Sequence, residues 1–140
     1  MTKKIIGMGN AVLDILTKVE NNFIDENNLS KGTMAIVSED ESQKILEKIE
    51  MIKTDSGGSV ANTISTISLL GLEASFCGKV MDDKLGNDFE NKMRKSGTNF
   101  LCDKSNSGLP TARCIVFVTP DGERTMQTFL GASTTLSDSD

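Results

Sequence analysis

Gly57-Gly58-Ser59-Val60-Ala61-Asn62 sets two glycines directly before an apolar, helix-forming run. Glycines at that place leave backbone N–H groups open at a helix start, and a polar ligand can come close to the main chain there. Ser59 is placed to cap the helix. Asn62, one turn in, faces back toward the Gly-Gly turn, where its amide can hydrogen-bond a hydroxylated ligand. A plain loop-to-helix junction with a capping serine has the same spacing, and spacing alone leaves both readings open.

Outward from this turn, the pattern alternates between short strands and helices. Lys4 to Gly9 reads as a short buried strand carrying Ile5, Ile6 and Met8. Val12 to Val19 is a second apolar stretch around one acid, Asp14. Residues 20–32 are polar and read as a loop with a short turn at Phe23-Ile24, followed by a strand from Thr33 to Val37. Ser38-Glu39-Asp40-Glu41 is a capping box, and it predicts a helix running to about residue 52 with Ile45, Leu46, Ile49 and Ile52 on one face. Lys53 to Gly57 reads as a break. The helix after it runs from Ser59 to Leu70, burying Ala61, Ile64, Ile67 and Leu70, and Gly71 stops it. A strand at Glu73–Val80 and a helix with Leu85, Phe89 and Met93 inward follow, closed by Gly97. Asn99 to Cys102 is a short strand. Ala112–Thr119 and Glu123–Leu130 flank Thr119-Pro120-Asp121-Gly122, a turn sequence that predicts a hairpin. Alternating β and α predicts a parallel sheet covered by helices, while the early strands and the hairpin need a separate, smaller sheet.

The chain has 140 residues and a net charge of −5, which suits one domain. No cluster of lysine and arginine stands out, which speaks against nucleic acid and anionic membranes as partners. No apolar run approaches the roughly 18 residues of a membrane span. The basic start Met1-Thr2-Lys3-Lys4 is followed by Asn10 and Asp14, so a secretory leader is not expected. Zero histidines remove Ser-His-Asp and Cys-His catalysis. Cys77, Cys102 and Cys114 are too far apart for a C-x-x-C pair and read as reduced cytosolic thiols, with no zinc site.

Gly7-Met8-Gly9 invites a dinucleotide-binding reading, but Val12 stands where the third glycine is needed, and no P-loop is present either. Asp14 is costly to bury without partners. It either faces solvent at a strand edge or accepts hydrogen bonds from ligand hydroxyls. Asp82-Asp83 reads as a solvated loop before a helix rather than a metal site. Arg124, just after the hairpin turn, reads as a solvated charge.

Five segments taken in order resemble the ribokinase-like (PfkB) carbohydrate kinase family. They are Gly9-Asn10-Ala11-Val12-Leu13-Asp14-Ile15, Gly57-Gly58-Ser59-Val60-Ala61-Asn62-Thr63, Gly78-Lys79-Val80-Met81-Asp82-Asp83-Lys84-Leu85-Gly86, Pro110-Thr111 and Asp121-Gly122-Glu123-Arg124-Thr125-Met126. Lys31-Gly32-Thr33-Met34 and Arg124 through Ala132 are most similar to the adenosine-kinase-like bacterial branch. The resemblance implies an α/β fold, a three-layer α/β sandwich with a small β-sheet lid. Residues 1–140 would be the N-terminal part of one such domain, with lid strands near 12–19, 33–37, 111–118 and 123–130. It implies ATP-dependent phosphorylation of a nucleoside or sugar hydroxyl, in the cytoplasm. Asp14 would bind two sugar hydroxyls, and Asn10, Gly57, Gly58, Ser59 and Asn62 would complete the substrate contacts. Arg124 would neutralise phosphate charge on lid closure, and Cys114, Met126, Thr128 and Leu130 would be lid contacts over base or sugar.

Members of that family are roughly twice as long, and their later half carries a Gly-Ala-Gly-Asp segment with the catalytic aspartate, the anion hole and, nearby, the ATP site. No such segment occurs in residues 1–140. The expectation is therefore a substrate-binding half, inactive alone, with ATP and Mg2+ acting in the full-length parent and binding poorly here. The alternative is a non-catalytic sugar-binding or lid-mediated dimerisation module. The sugar-binding set does not separate a nucleoside from a plain sugar.

Overall fold

In chain order, the computed structural model contains β1 (Ile5–Met8), β2 (Val12–Lys18), α1 (Asn21–Glu26), β3 (Met34–Ile36), α2 (Glu39–Leu46) and β4 (Lys53–Gly57). There follow α3 (Ser59–Leu69), β5 (Ala74–Cys77), α4 (Lys84–Lys95), β6 (Asn99–Phe100), β7 (Ala112–Val118), β8 (Arg124–Phe129) and a closing 3-10 turn, Gly131–Thr135. The structure describes residues 4–140, so the reading of Met1–Lys3 as part of a chain start without a leader lies outside the described residues. The architecture is mixed α/β. The chain divides into two compact units and passes between them at Leu13–Asp14, Thr54–Asp55, Ala112–Arg113 and Phe129–Leu130.

The first unit holds the three-stranded sheet β1-β5-β6, parallel throughout, with Ile5 opposite Ala74 and Phe76 opposite Phe100. Three phenylalanines fill its core. The Phe76 ring centroid lies 5.8 Å from that of Phe89 and 6.1 Å from that of Phe100, spacings at which aromatic pairs gain beyond their buried area. Phe89 and Met93 are fully buried and Leu85 packs against them, so the inner face of α4 is the one its periodicity predicts. On α3, Ala61 and Ile64 are buried and Ile67 is half-buried. Leu70 is not part of this face: α3 ends at Leu69, and Leu70, as its C-cap, is 76% exposed. Gly71 at φ +87° supplies the stop. Gly7 lets β1 lie flush on α3, since a Cβ there would sit 2.4 Å from Ile64 Cγ1. The other side of β1 carries Ile6 and Met8, both exposed.

The second unit is built on a five-stranded mixed sheet, order β3-β8-β7-β2-β4. The second sheet, expected to be the smaller, is thus the larger one: β3, β8, β7 and β2 already outnumber the first sheet, and β4 makes five. Lys53-Thr54-Asp55-Ser56 has no apolar alternation and reads as a break, yet it forms a strand at the end of the sheet order, where polar residues are suited to an edge. The chain is led into β4 by Ile52 N–H donating to Leu16 O at 2.9 Å. α2 itself stops at Leu46 instead of residue 52, its last turn closed by Glu47 N–H on Gln43 O and Lys48 N–H on Ile45 O. The α2 start is as its sequence dictates: Ser38 Oγ accepts from Glu41 N–H and the Glu41 carboxylate accepts from Ser38 N–H, 2.8 Å. Residues 21–26, expected as loop, form the short helix α1 because Phe23 and Ile24 dock on the sheet.

Ile24, Ile45, Ile115 and Phe117 make the core of this unit, with Phe23 stacked 5.8 Å from Phe117. Arg113 belongs to the same face and is only 5% exposed. Its Nε donates to Ser42 Oγ at 2.7 Å, and its guanidinium lies 5.3 Å from the Phe129 ring centroid. At the hairpin, Gly122 N–H donates to Thr119 O at 2.8 Å. Lys31 Nζ donates to Asp121 Oδ2 at 2.5 Å and to Asn21 Oδ1 at 2.7 Å, tying the 27–33 loop to the turn.

Candidate functional site

In the first unit, β4 delivers the chain to Gly57, which is buried, and Gly58 turns it into α3. Gly58 has φ +97° and ψ 136°, a region L side chains rarely adopt. A Cβ on Gly58 would stand 2.6 Å from the carbonyl oxygen of Asn10. Only glycine fits, and the Asn10 loop and the α3 start therefore sit in direct backbone contact. Gly58, not Ser59, is the N-cap: its carbonyl accepts from Asn62 N–H at 2.9 Å, and no side chain caps the helix. Ser59 is the first helical residue. Among the described residues no side chain accepts from the N–H groups of this first turn. Asn10, Ser59 and Asn62 are all exposed around this turn.

Asp83, expected to be solvated, is the hub of a local network. Its Oδ1 accepts from Gly86 N–H at 2.7 Å and from Thr111 Oγ1 at 2.7 Å, and its Oδ2 accepts from Thr111 N–H at 2.9 Å. Thr111 Oγ1 in turn accepts from Met81 N–H at 3.0 Å. Both carboxylate oxygens are thus engaged in capping α4 and anchoring residue 111. Asp82, exposed, accepts from Asn87 Nδ2 at 3.3 Å and has Lys104 Nζ at 3.7 Å. Among the described residues no group of three histidine, cysteine or acidic side chains is placed to hold a metal ion.

In the second unit, strand alternation sorts the sheet into two faces. Ile115 and Phe117 point into the core. Cys114, Val116 and Val118 point the other way, and the register sets Thr128, Met126 and Arg124 beside them. On β3, Ile36 pairs with Thr128 and Met34 with Met126. Three rows result: Cys114-Thr128-Ile36, then Val116-Met126-Met34, then Val118-Arg124. Ile36 is 66% and Met34 54% exposed, so this face is both apolar and open.

Asp14 lies on the strand next to β7, near enough to Cys114 for its carboxylate to act on that thiol. It is half-buried on β2, between β7 and β4 in the strand order, so the reading of it as a strand-edge acid is overturned. The Cys114 thiol is pushed up, by burial first, partly offset by its hydrogen bond with the Thr128 hydroxyl, and further by the nearby Asp14 carboxylate. Cys114 therefore stays a neutral thiol at neutral pH. Carboxylate, thiol and hydroxyl together make a compact polar end to an otherwise greasy surface.

Residues 25–140 match the pfkB family carbohydrate kinase model. The chain is similar over its whole length to the adenosine kinase of Sinorhizobium meliloti, at 36% identity and a TM-score of 0.89, covering 43% of that chain. It is equally similar in fold to a probable sugar kinase of Rhizobium etli, at 33% identity, TM-score 0.89 and 43% of that chain. The guanosine-inosine kinase of Escherichia coli K12 is 23% identical over an alignment 134 positions long that covers 86% of this chain and 30% of the relative. The chain belongs to the pfkB family of carbohydrate kinases. It spans under half the length of each of these relatives.

In this pfkB-family chain, the residues singled out from sequence fall into groups. Asn10, Gly57, Gly58, Ser59 and Asn62 gather at one turn of the first unit. Cys114, Met126 and Thr128 share one face of the second unit, with Asp14 near Cys114. Leu130 lies beyond β8 as the N-cap of the 3-10 turn, its carbonyl accepting from Ser133. Arg124 is exposed and two rows from Thr128, about 13 Å along the strand. The strand holding Met34 and Ile36 is legible in sequence, but the face these two share is not, because a three-residue strand carries too little pattern to reveal one. Nothing in the local sequence marks Arg113 as buried.

Proposed function

We propose that this chain provides the acceptor-binding part of an ATP-dependent kinase that phosphorylates a hydroxyl of a nucleoside or sugar. The observation that carries the reading is the open face of the second unit. A carboxylate, a neutral thiol and a hydroxyl stand at one end, and Met34, Ile36, Val116 and Met126 form an apolar floor beyond them. A ribose diol suits the polar end, since a carboxylate accepts from two vicinal hydroxyls at once. A flat apolar base suits the floor. The likeness to an adenosine kinase supports a nucleoside, and the equal fold likeness to a probable sugar kinase keeps a plain sugar as the alternative.

In this reading Asp14 fixes the diol and so orients the remaining hydroxyl, which is catalysis by positioning. Asn10, Gly58 and Asn62 are the acceptor contacts proposed for the first unit, with Gly57 and Ser59 shaping the turn. Arg124 supplies positive charge toward the transferring phosphate. Kinases of this family use ATP and Mg2+ in general. The described residues do not fit a resident metal site, because Asp83 is fully engaged and Asp82 stands alone with it. No step is therefore assigned to a metal held by this chain.

The test uses the longer parent protein. Asp14→Asn is expected to lower kcat/KM for adenosine by about 100-fold or more while leaving the circular dichroism spectrum unchanged. Turnover within twofold of wild type would refute Asp14 as the acceptor residue. Faster phosphorylation of fructose or ribose than of adenosine would refute the nucleoside assignment. The 140-residue chain alone is expected to bind adenosine without hydrolysing ATP.

A second reading, pairing of two copies through the same face, draws on the exposure of Met34 and Ile36. Sedimentation of Ile36→Lys as a monomer where wild type is a dimer would favour it.

A further inference from the structure

Cys77 ends β5 and Cys102 follows β6, the neighbouring parallel strand. Their Sγ atoms lie 3.1 Å apart. The register is held by Leu101 N–H donating to Phe76 O at 3.0 Å, so neither strand has to slide for the sulfurs to meet. All three cysteines are free thiols. The two differ in access: Cys102 is 7% exposed, whereas Cys77 is only partly buried and lies beside Met8, which is itself open to solvent. Cys114 belongs to the second unit and is engaged with Thr128.

We propose that Cys77 and Cys102 are a redox modification site that closes to a reversible intrachain disulfide when it meets a low-molecular-weight disulfide. The Cys77 thiolate, the accessible one, attacks one sulfur of the oxidant. Its S–S bond breaks, one thiol leaves, and Cys77 carries a mixed disulfide. Cys102 then gives up its proton and attacks the Cys77 sulfur, releasing the second thiol. The protein loses two protons and two electrons in all, and the oxidant is reduced to two thiols. A disulfide needs sulfurs about 2.05 Å apart, so closure requires a side-chain shift of about 1 Å. The Cys102 thiol is pushed up, by burial first and then by its shared hydrogen with Cys77. That keeps Cys102 inert until the sulfur beside it becomes electrophilic. The site adjoins the ligand turn: Cys77 O accepts from Gly9 N–H at 3.1 Å, one residue before Asn10.

The experiment treats the folded chain with oxidised glutathione, blocks remaining thiols and maps tryptic peptides without reduction. Cleavage at Lys79, Lys104 and Arg113 puts the three cysteines on separate peptides. The expected product has lost two hydrogens and contains the 77–102 peptide pair. It forms about tenfold or more faster than in denaturing urea, with Cys114 still blockable. Cys114→Ser is expected to give the same product. Cys102→Ser is expected to accumulate glutathione on Cys77, and Cys77→Ser to leave Cys102 unmodified. A stable glutathione adduct on the wild-type chain, pairing through Cys114 or between chains, or no rate advantage over urea would each overturn the proposal.

Discussion

The carbonyl oxygen of Asn10 and the α-carbon of Gly58 are packed so closely that a methyl group on Gly58 would lie 2.6 Å from that oxygen. Backbone is on one side and backbone on the other, so nothing soft can yield. Gly58→Ala meets this contact and a φ of +97° together. The expected loss is about 2–4 kcal/mol in urea denaturation. Gly71 is the control: its φ is +87° but nothing lies within 4 Å of its added Cβ. Gly71→Ala is expected to cost only about 1 kcal/mol. Equal losses at the two sites would mean that the Asn10 contact adds nothing.

Asp83 joins residues far apart in the chain through both carboxylate oxygens. Asp83→Ala removes a helix cap and leaves Thr111 N–H without its acceptor, at an expected cost of about 2–4 kcal/mol. Thr111→Val keeps the volume but loses the hydroxyl bonded to Asp83 and Met81. The two substitutions share partners, so the double variant is expected to fall short of the sum of the singles. Strict additivity in chemical denaturation would contradict the network.

Arg113 holds α2 against the sheet with a hydrogen bond to Ser42 and a contact with the Phe129 ring. Arg113→Ala is expected to cost about 2–4 kcal/mol, through a cavity and an unanswered polar neighbourhood. Arg113→Met refills most of the space and is expected to recover about half of that loss. Matching urea midpoints for Ala and Met variants would show that volume plays no part.

The Asp121 carboxyl is held well below the usual carboxylate range, by the Lys31 ammonium first and then by the Thr119 hydroxyl. A depressed folded pKa contributes stability above the ordinary value of 3.8 and loses it as pH falls below that value. Asp121→Asn is therefore expected to lower the urea midpoint by the same amount at pH 7 and pH 5, with the gap closing only below about pH 4. The pair is exposed, so raising the salt is expected to shrink the gap as well. A gap that widens on acidification would reverse the assigned sign.

Several features were legible from local sequence. The Ser38–Glu41 capping box starts α2, Thr119-Pro120-Asp121-Gly122 turns the hairpin, and Leu85, Phe89 and Met93 mark the inner face of α4. Each is decided within one or two turns of chain, where neighbours in sequence are neighbours in space. The order of the glycine and acidic segments was sufficient for the family. Other features had no local signal. Lys53–Gly57 has the composition of a loop and becomes a strand because a partner strand satisfies its backbone. Ser59 has the chemistry of a cap, yet Gly58 takes the position because its φ is set by contact with Asn10.

Sequence by itself determined that the chain alternates β and α, that Gly57-Gly58 precedes a helix, and that Asp14 is an acid in an apolar run. Tertiary structure decided what those residues stand beside. Asn10 meets Gly58 across 47 intervening positions of chain, Cys77 meets Cys102, and Asp14 comes close to Cys114. Local chemistry fixes how the backbone turns. Only strand pairing over long loops, which no short window of residues encodes, fixes which turns and faces come together.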